Sequence, residues 1–160
     1  MVSPAIGYAA GAMGHLAWSG DGPVRVQELA RAIGAPPAYL SKIVHRLARK
    51  GLLDTARGRG GGVVLAADPA TITLYDLCEA LDDSILHPTC ALGVTECSDE
   101  RACPAHELQR DVRARQLAFL KATTVKQIGE FEQAKRAAAK SASRTGKTPA
   151  GGARSGRTRL

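Results

Sequence analysis

Three observations predict a mainly α chain whose first half ends in a two-stranded wing. Apolar residues recur at helical spacing in three successive short stretches. A Gly-rich, basic turn then joins two short, partly β-branched runs, and a long helical pattern follows a loop that carries cysteines. At 160 residues, 44 % hydrophobic and 23 % charged, the chain has a globular composition and the length for a modest core.

Ile6, Ala9, Met13, Leu16 and Ala17 fall on one helical face, and Gly20, Asp21 and Gly22 end that helix. Residues 26–33 form a second, shorter helix with Leu29, Ala30 and Ile33 inward and Gly34 in the C-cap position. Pro36 and Pro37 tolerate only the first turn of a helix, so the third begins there. Its apolar residues are Leu40, Ile43, Val44 and Leu47; its other face carries Ser41, Lys42, His45, Arg46, Arg49 and Lys50. Residues 52–56 and 63–66 flank RGRGGG and predict a β-hairpin. Thr73 and Asp76 make a capping box for a helix through Leu81. Residues 84–103 lack periodicity and predict a loop, and residues 104–122 a long helix with Leu108, Val112, Leu117 and Leu120 among its apolar positions. Thr124 caps one more short helix containing Val125 and Ile128. Beyond about Ala137 there is almost nothing to bury, so disorder is expected.

The formal charge of +7 is unevenly spread. Eight Lys or Arg and no acid lie from Lys135 onward, leaving residues 1–134 near neutrality. Within that body, residues 24–60 hold eight basic and two acidic groups, whereas residues 76–107 hold eight acidic groups and one basic. A basic half beside an acidic half suits a face for a polyanion, though an unevenly charged solvated surface would look the same. The basic tail is read as a solubilising end. The apolar stretch at residues 5–18 has no preceding Lys or Arg and no small-residue cleavage site, so secretion is not expected. It is also shorter than the roughly 20 residues a membrane span needs, and glycines interrupt it, so a cytoplasmic protein without membrane contact is expected.

Three short helices followed by a basic-tipped hairpin is the order of a winged helix-turn-helix. Such a domain reads double-stranded DNA by laying one helix in the major groove. Ser41, Lys42 and His45 are placed for base edges, and Arg46, Arg49 and Lys50 for phosphates. Arg57 and Arg59 at the wing tip can enter a narrow minor groove. With the first-turn residues Pro37, Ala38 and Tyr39, these complete the candidate DNA-contacting set. Basic helix faces are most often merely solvated; it is the wing directly after this one that favours DNA.

Of the four cysteines, Cys78 lies among Leu74, Leu77 and Leu81 and is read as a small buried hydrophobe. Cys90, Cys97 and Cys103 are spaced by six and then five residues, and His106 follows three after the last. In a cytoplasmic chain such a set serves a metal or redox site more often than a disulfide framework. Zinc sites usually contain a pair two to four residues apart, which is missing here, so an iron–sulfur cluster ranks above zinc. A metal-free thiol switch ranks third. An iron–sulfur or thiol redox enzyme would predict a Cys-x-x-Cys pair, and the sequence has none; no catalytic residues are assigned.

These residues together resemble the IscR/NsrR type of bacterial winged-helix iron–sulfur transcription regulators. The resemblance spans residues 6 to about 130. It rests on GYAAGAM in the first helix, PAYLSKIVHRLARKGLL in the third, RGRGGGVVLA in the wing, and C-x6-C-x5-C with the following PAH. It implies a homodimer whose long helices pack across a two-fold axis, a palindromic operator, and a cluster held by Cys90, Cys97 and Cys103. In the IscR-like branch the fourth ligand is a His at the position of His106. In the nitric-oxide-sensing branch it is an Asp before the first-helix tyrosine, completing a 4Fe–4S cluster. Here Gly7 precedes Tyr8, which favours a 2Fe–2S cluster with His106 while leaving 4Fe–4S possible. Two departures stand out: a first cysteine gap of six residues where the best-known IscR-like pattern has five, and Ser41 where such members can carry a Glu. The expected organisation is a DNA-binding domain over residues 1–83, a cysteine loop over 84–103, a dimerisation helix with a short companion over 104–134, and a disordered basic tail over 135–160.

Overall fold

The computed structural model describes residues 2–145 apart from positions 21, 57, 59, 88, 91, 94 and 95, with side chains described as far as residue 139. Six helices and one two-stranded antiparallel sheet run in the order α1 (Pro4–Ser19), α2 (Val26–Ile33), α3 (Pro37–Arg49), β1 (Leu53–Thr55), β2 (Val63–Leu65), α4 (Leu74–Ala80), α5 (His106–Ala122) and α6 (Val125–Thr145). Two 3-10 turns, Ser84–Leu86 and Asp99–Arg101, lie between α4 and α5. None of the described helices is long and apolar enough to cross a membrane.

Each boundary has a local cause. Pro4 occupies the first turn of α1, and Pro37 the first turn of α3, where no donor is lost. Gly34 takes φ 70° and returns its N–H to the Ala30 carbonyl, so α2 ends there and the chain turns into α3. Thr73 and Asp76 close a capping box: the Asp76 N–H donates to Thr73 Oγ1 at 3.3 Å and the Thr73 N–H to Asp76 Oδ2 at 2.7 Å. In the wing, Leu53 pairs with Leu65 and Thr55 with Val63, while Val24 bridges Val63 on its other side. That bridge leaves no room for a side chain at Gly62, whose Cβ would lie 2.7 Å from the Val24 carbonyl oxygen.

The core is built on α1. Ile6, Ala9, Ala12, Met13 and Leu16 are buried against Leu29 and Ala30 of α2, Leu40, Ile43, Val44 and Leu47 of α3, and Leu77 and Cys78 of α4. Burying each of the large aliphatic side chains contributes about 1.5–3 kcal/mol, so the apolar face of α3 fixes which face it shows to solvent. The end of α5 is stitched to the start of α4: the Leu74 N–H donates to the Thr123 carbonyl at 2.9 Å, and the Val125 N–H to Ile72 at 2.8 Å.

The sixth helix differs from expectation: it runs to Thr145 instead of stopping as a short helix. Residues 135–145, expected to belong to a disordered tail, are helical, and the rest of that tail lies outside the described residues. The helix lies along α1, and the two backbones meet glycine to glycine. A Cβ on Gly129 would stand 2.9 Å from the Gly14 oxygen, and one on Gly14 would stand 2.8 Å from Ile128 Cγ2. Farther along, Arg136 donates to the Ala32 carbonyl at 2.7 Å and covers the Trp18 ring at 5.1 Å. An Ala-rich stretch that buries little by itself is helical here because its first turns are docked, and alanine propagates a helix at little cost.

Candidate DNA interface and cysteine-loop site

On α3, Pro37, Ala38, Tyr39, Ser41, Lys42, His45, Arg46 and Arg49 are all exposed, while Leu40, Ile43, Val44 and Leu47 are buried. The packed face thus turns every described member of the DNA-contacting set outward. No ion pair among the described residues engages Lys42, Arg46 or Arg49, and α3 carries no acid. Tyr39, 41 % exposed, is braced by an edge-on contact with Tyr8 of α1, ring centroids 5.8 Å apart. At the wing tip Gly58 and Gly60 adopt positive φ, 96° and 82°, which lets the hairpin reverse. Arg57 and Arg59 lie outside the described residues.

The cysteine loop starts from a turn anchored on two sides. Asp83, buried, accepts from the Ser3 N–H at 3.2 Å and the Ile85 N–H at 3.0 Å. Burial pushes its carboxyl up, but hydrogen bonds from the Ser3 side chain and the two backbone amides outweigh it and hold it below its usual value. From the other side, the Arg113 guanidinium of α5 donates to the carbonyls of Ile85 at 3.2 Å and Leu86 at 2.6 Å. The turn is therefore tied both to the start of α1 and to the middle of α5.

Beyond that turn, Thr89 and Glu96 form an antiparallel bridge that closes the chain containing Cys90. Cys90, Cys97 and Cys103 are all free and half-buried. Cys97 Sγ stands 3.3 Å from Nδ1 of His106, the first residue of α5, whose Nε2 is 2.8 Å from Asp99 Oδ1. His106 is buried, and its N–H donates to the Cys103 carbonyl at 2.9 Å. The structure thus brings Cys97 and His106 together. It gathers no group of three or more His, Cys, Asp or Glu able to hold a metal ion among the described residues. By donor chemistry the loop suits a soft, thiophilic group: three accessible thiols and an imidazole with one nitrogen turned toward a cysteine. Cys78 stands apart, buried, its thiol pushed up to about 11 by burial and then by the charge of Asp83, so it is inert at neutral pH.

Beside the loop and α5 lies a cleft of about 530 Å³, with Cys97, Asp99, His106 and Arg113 on its wall. Asp83, Asp99 and Arg113 escaped the sequence reading. Each acts on a partner brought to it by the fold, and no spacing marks an acid in C-S-D-E-R-A-C or an Arg in mid-helix as functional.

The fold and the exposed basic helix define a winged helix-turn-helix DNA-binding protein. Residues 2–130 match the Rrf2 family, described as an iron-dependent transcriptional regulator. The chain belongs to this family and is a DNA-binding transcription regulator, not an enzyme. It is 30 % identical over 133 residues to an HTH-type transcriptional regulator of Aquifex aeolicus, covering 82 % of this chain and 92 % of that protein. It is 33 % identical to the HTH-type transcriptional regulator IscR of Yersinia pestis, covering 76 % of this chain and 74 % of the other. Among solved structures it is similar to CymR, the global cysteine regulator of B. subtilis, with TM-score 0.70, 28 % identity and coverage of 82 % and 97 %. T. potens IscR superposes with TM-score 0.64, 25 % identity and coverage of 86 % and 90 %.

Proposed function

We propose that this regulator binds a palindromic operator as a homodimer in the cytoplasm, and that an iron–sulfur cluster on the cysteine loop sets its affinity. The observation that carries the reading is His106: it opens α5 and turns Nδ1 to Cys97 at 3.3 Å, so the loop and the long helix meet through this imidazole. Cys90, Cys97, Cys103 and His106 would hold the cluster, 2Fe–2S being favoured by the imidazole. The cluster, when bound, supplies a redox- and nitric-oxide-reactive centre whose loss frees its ligands.

The chain's own residues carry the change onward. Arg113 joins the turn Ser84–Leu86 to α5, and Asp83 joins the same turn to the start of α1. Rearranging the loop therefore loads both the proposed dimer helix and the helix on which α3 packs. On DNA, Ser41, Lys42 and His45 face the bases, Arg46 and Arg49 the phosphates, and Arg57 and Arg59 of the wing the adjacent groove.

The test is to purify the protein without oxygen, measure iron and sulfide per chain, and compare operator binding with and without the cluster. Equal iron and sulfide, with two irons per chain for 2Fe–2S, and an affinity difference of about 5–150-fold, the usual range for coupling between two sites, are expected. Equal affinities overturn the sensing role. A second reading rests on the same pair of atoms. An imidazole within reach of a thiol can take its proton and leave a nucleophilic thiolate, so Cys97 can act as a metal-free redox thiol. A protein free of iron and zinc, even after reconstitution, whose operator affinity changes on mild oxidation selects that reading; stoichiometric zinc would select a structural metal site.

A further inference from the structure

We propose that Asp99 is the positioning residue that sets the tautomer and ring orientation of His106, leaving Nδ1 free to face Cys97. The geometry decides the direction of each bond. An ionised carboxylate can only accept, so at 2.8 Å from Asp99 Oδ1 the His106 Nε2 carries the hydrogen. Neutral imidazole has one N–H, and Nδ1 is therefore a lone-pair nitrogen, 3.3 Å from Cys97 Sγ. The ring cannot turn over without giving up both contacts.

The backbone that carries Asp99 is held independently of His106. Asp99 opens the turn Asp99–Arg101, whose Arg101 N–H donates to the Ser98 carbonyl at 3.2 Å. The Arg101 guanidinium donates to the Glu96 carbonyl, also at 3.2 Å, which ties the turn to the Thr89–Glu96 bridge. His106 itself is only 8 % exposed at its side chain, against 87 % for Asp99. A solvated acid thus orients a sheltered base. Where an imidazole binds a metal, a carboxylate on its far nitrogen commonly fixes the ring and raises its basicity, and losing that partner costs about 10–100-fold in affinity. The purpose of the arrangement rests on the reading of His106 as a cluster ligand; the nitrogen-15 arm of its test does not.

The experiment uses the full chain in two arms. In the metal-free protein, at about pH 8, above the ordinary imidazole range, the nitrogen-15 shifts of the His106 ring report which nitrogen carries hydrogen. The native protein is expected to show widely separated shifts with the hydrogen on Nε2. Asp99→Ala brings the two shifts together, and Asp99→Asn, whose carbonyl still accepts, restores the separation. In the reconstituted protein, Asp99→Ala loses iron to a chelator about 10–100-fold more readily than the native chain, and Asp99→Asn stays near native. Hydrogen on Nδ1 in the native protein, or an Asp99→Ala chain unchanged in both arms, overturns the proposal. A chain that takes up no iron yet shows the expected nitrogen shifts upholds the role of Asp99 and removes the cluster reading. A cluster that forms but is indifferent to Asp99→Ala, with the nitrogen shifts unchanged as well, does the reverse.

Discussion

At the scale of single residues, burial sets what a titratable group can do. His15 on α1 contacts Trp18 edge-on at 5.1 Å, and its Nδ1 is buried without a hydrogen-bond partner among the described residues. Burial lowers its pKa, the Arg136 charge lowers it further, and Glu132 opposes them. A His held neutral in the fold takes up its proton more readily when unfolded. Its contribution to stability is therefore lost as pH falls below about 6.5, the value in the unfolded chain. Urea midpoints should drop between neutral pH and the acid side of that value, and His15→Gln should flatten this part of the curve. An unchanged slope would show that His15 does not titrate with folding.

At the scale of elements, the α1–α6 contact depends on backbone approach and makes a prediction of opposite sign to helix propensity. Ala is favoured over Gly inside a helix by about 1 kcal/mol. Gly7→Ala on α1, where an added Cβ meets nothing within 4 Å, should therefore stabilise by about 0.5–1 kcal/mol. Gly129→Ala places its Cβ 2.9 Å from the Gly14 oxygen and 3.2 Å from Ala17 Cβ, so the helices must part. Overpacking of this kind costs about 1–3 kcal/mol. Denaturant unfolding of the two variants reads both signs; stabilisation by Gly129→Ala would mean that α6 does not lie against α1 in solution. Pattern reading could not have found this contact, because Gly129 appears in the sequence only as a weak helix former.

For the whole molecule, α5 leaves an apolar stripe uncovered. Leu108, Val112 and Phe119 are 67 %, 40 % and 60 % exposed and share one helical face. Placing that face against a second copy is what the proposed two-fold requires, and a palindromic operator needs two recognition helices at a fixed separation. Leu108→Glu with Phe119→Glu should convert the proposed dimer to a monomer in sedimentation. Operator affinity should fall at least tenfold, while the helical circular-dichroism signal of each chain remains. A native chain that sediments as a monomer at micromolar concentration would remove the dimer from the mechanism.

Local sequence signals determined the order of α1 to α5, the wing, the C-cap at Gly34 and the capping box at Thr73, because each rests on residues close together in the chain. These are apolar spacing of three and four in the helices, β-branched runs around a Gly-rich turn in the wing, and single Pro, Gly, Thr and Asp residues at the boundaries. The outward face of α3 was legible for the same reason: four buried aliphatics leave Ser41, Lys42, His45 and Arg46 only one place to go. The spacing of Cys90, Cys97, Cys103 and His106 marked a loop with ligating chemistry, but not which of its members meet. Only the tertiary structure decided that Cys97 faces His106, that Asp99 holds the ring from behind, and that Arg113 and Asp83 anchor the same turn from two helices. It also decided that α6 reaches Thr145, since helix formation there depends on docking against α1. Local hydrogen bonds and apolar stripes are properties of neighbouring residues, whereas Ser3 and Asp83, or Leu86 and Arg113, become partners only once burial of the core has brought distant chain segments together.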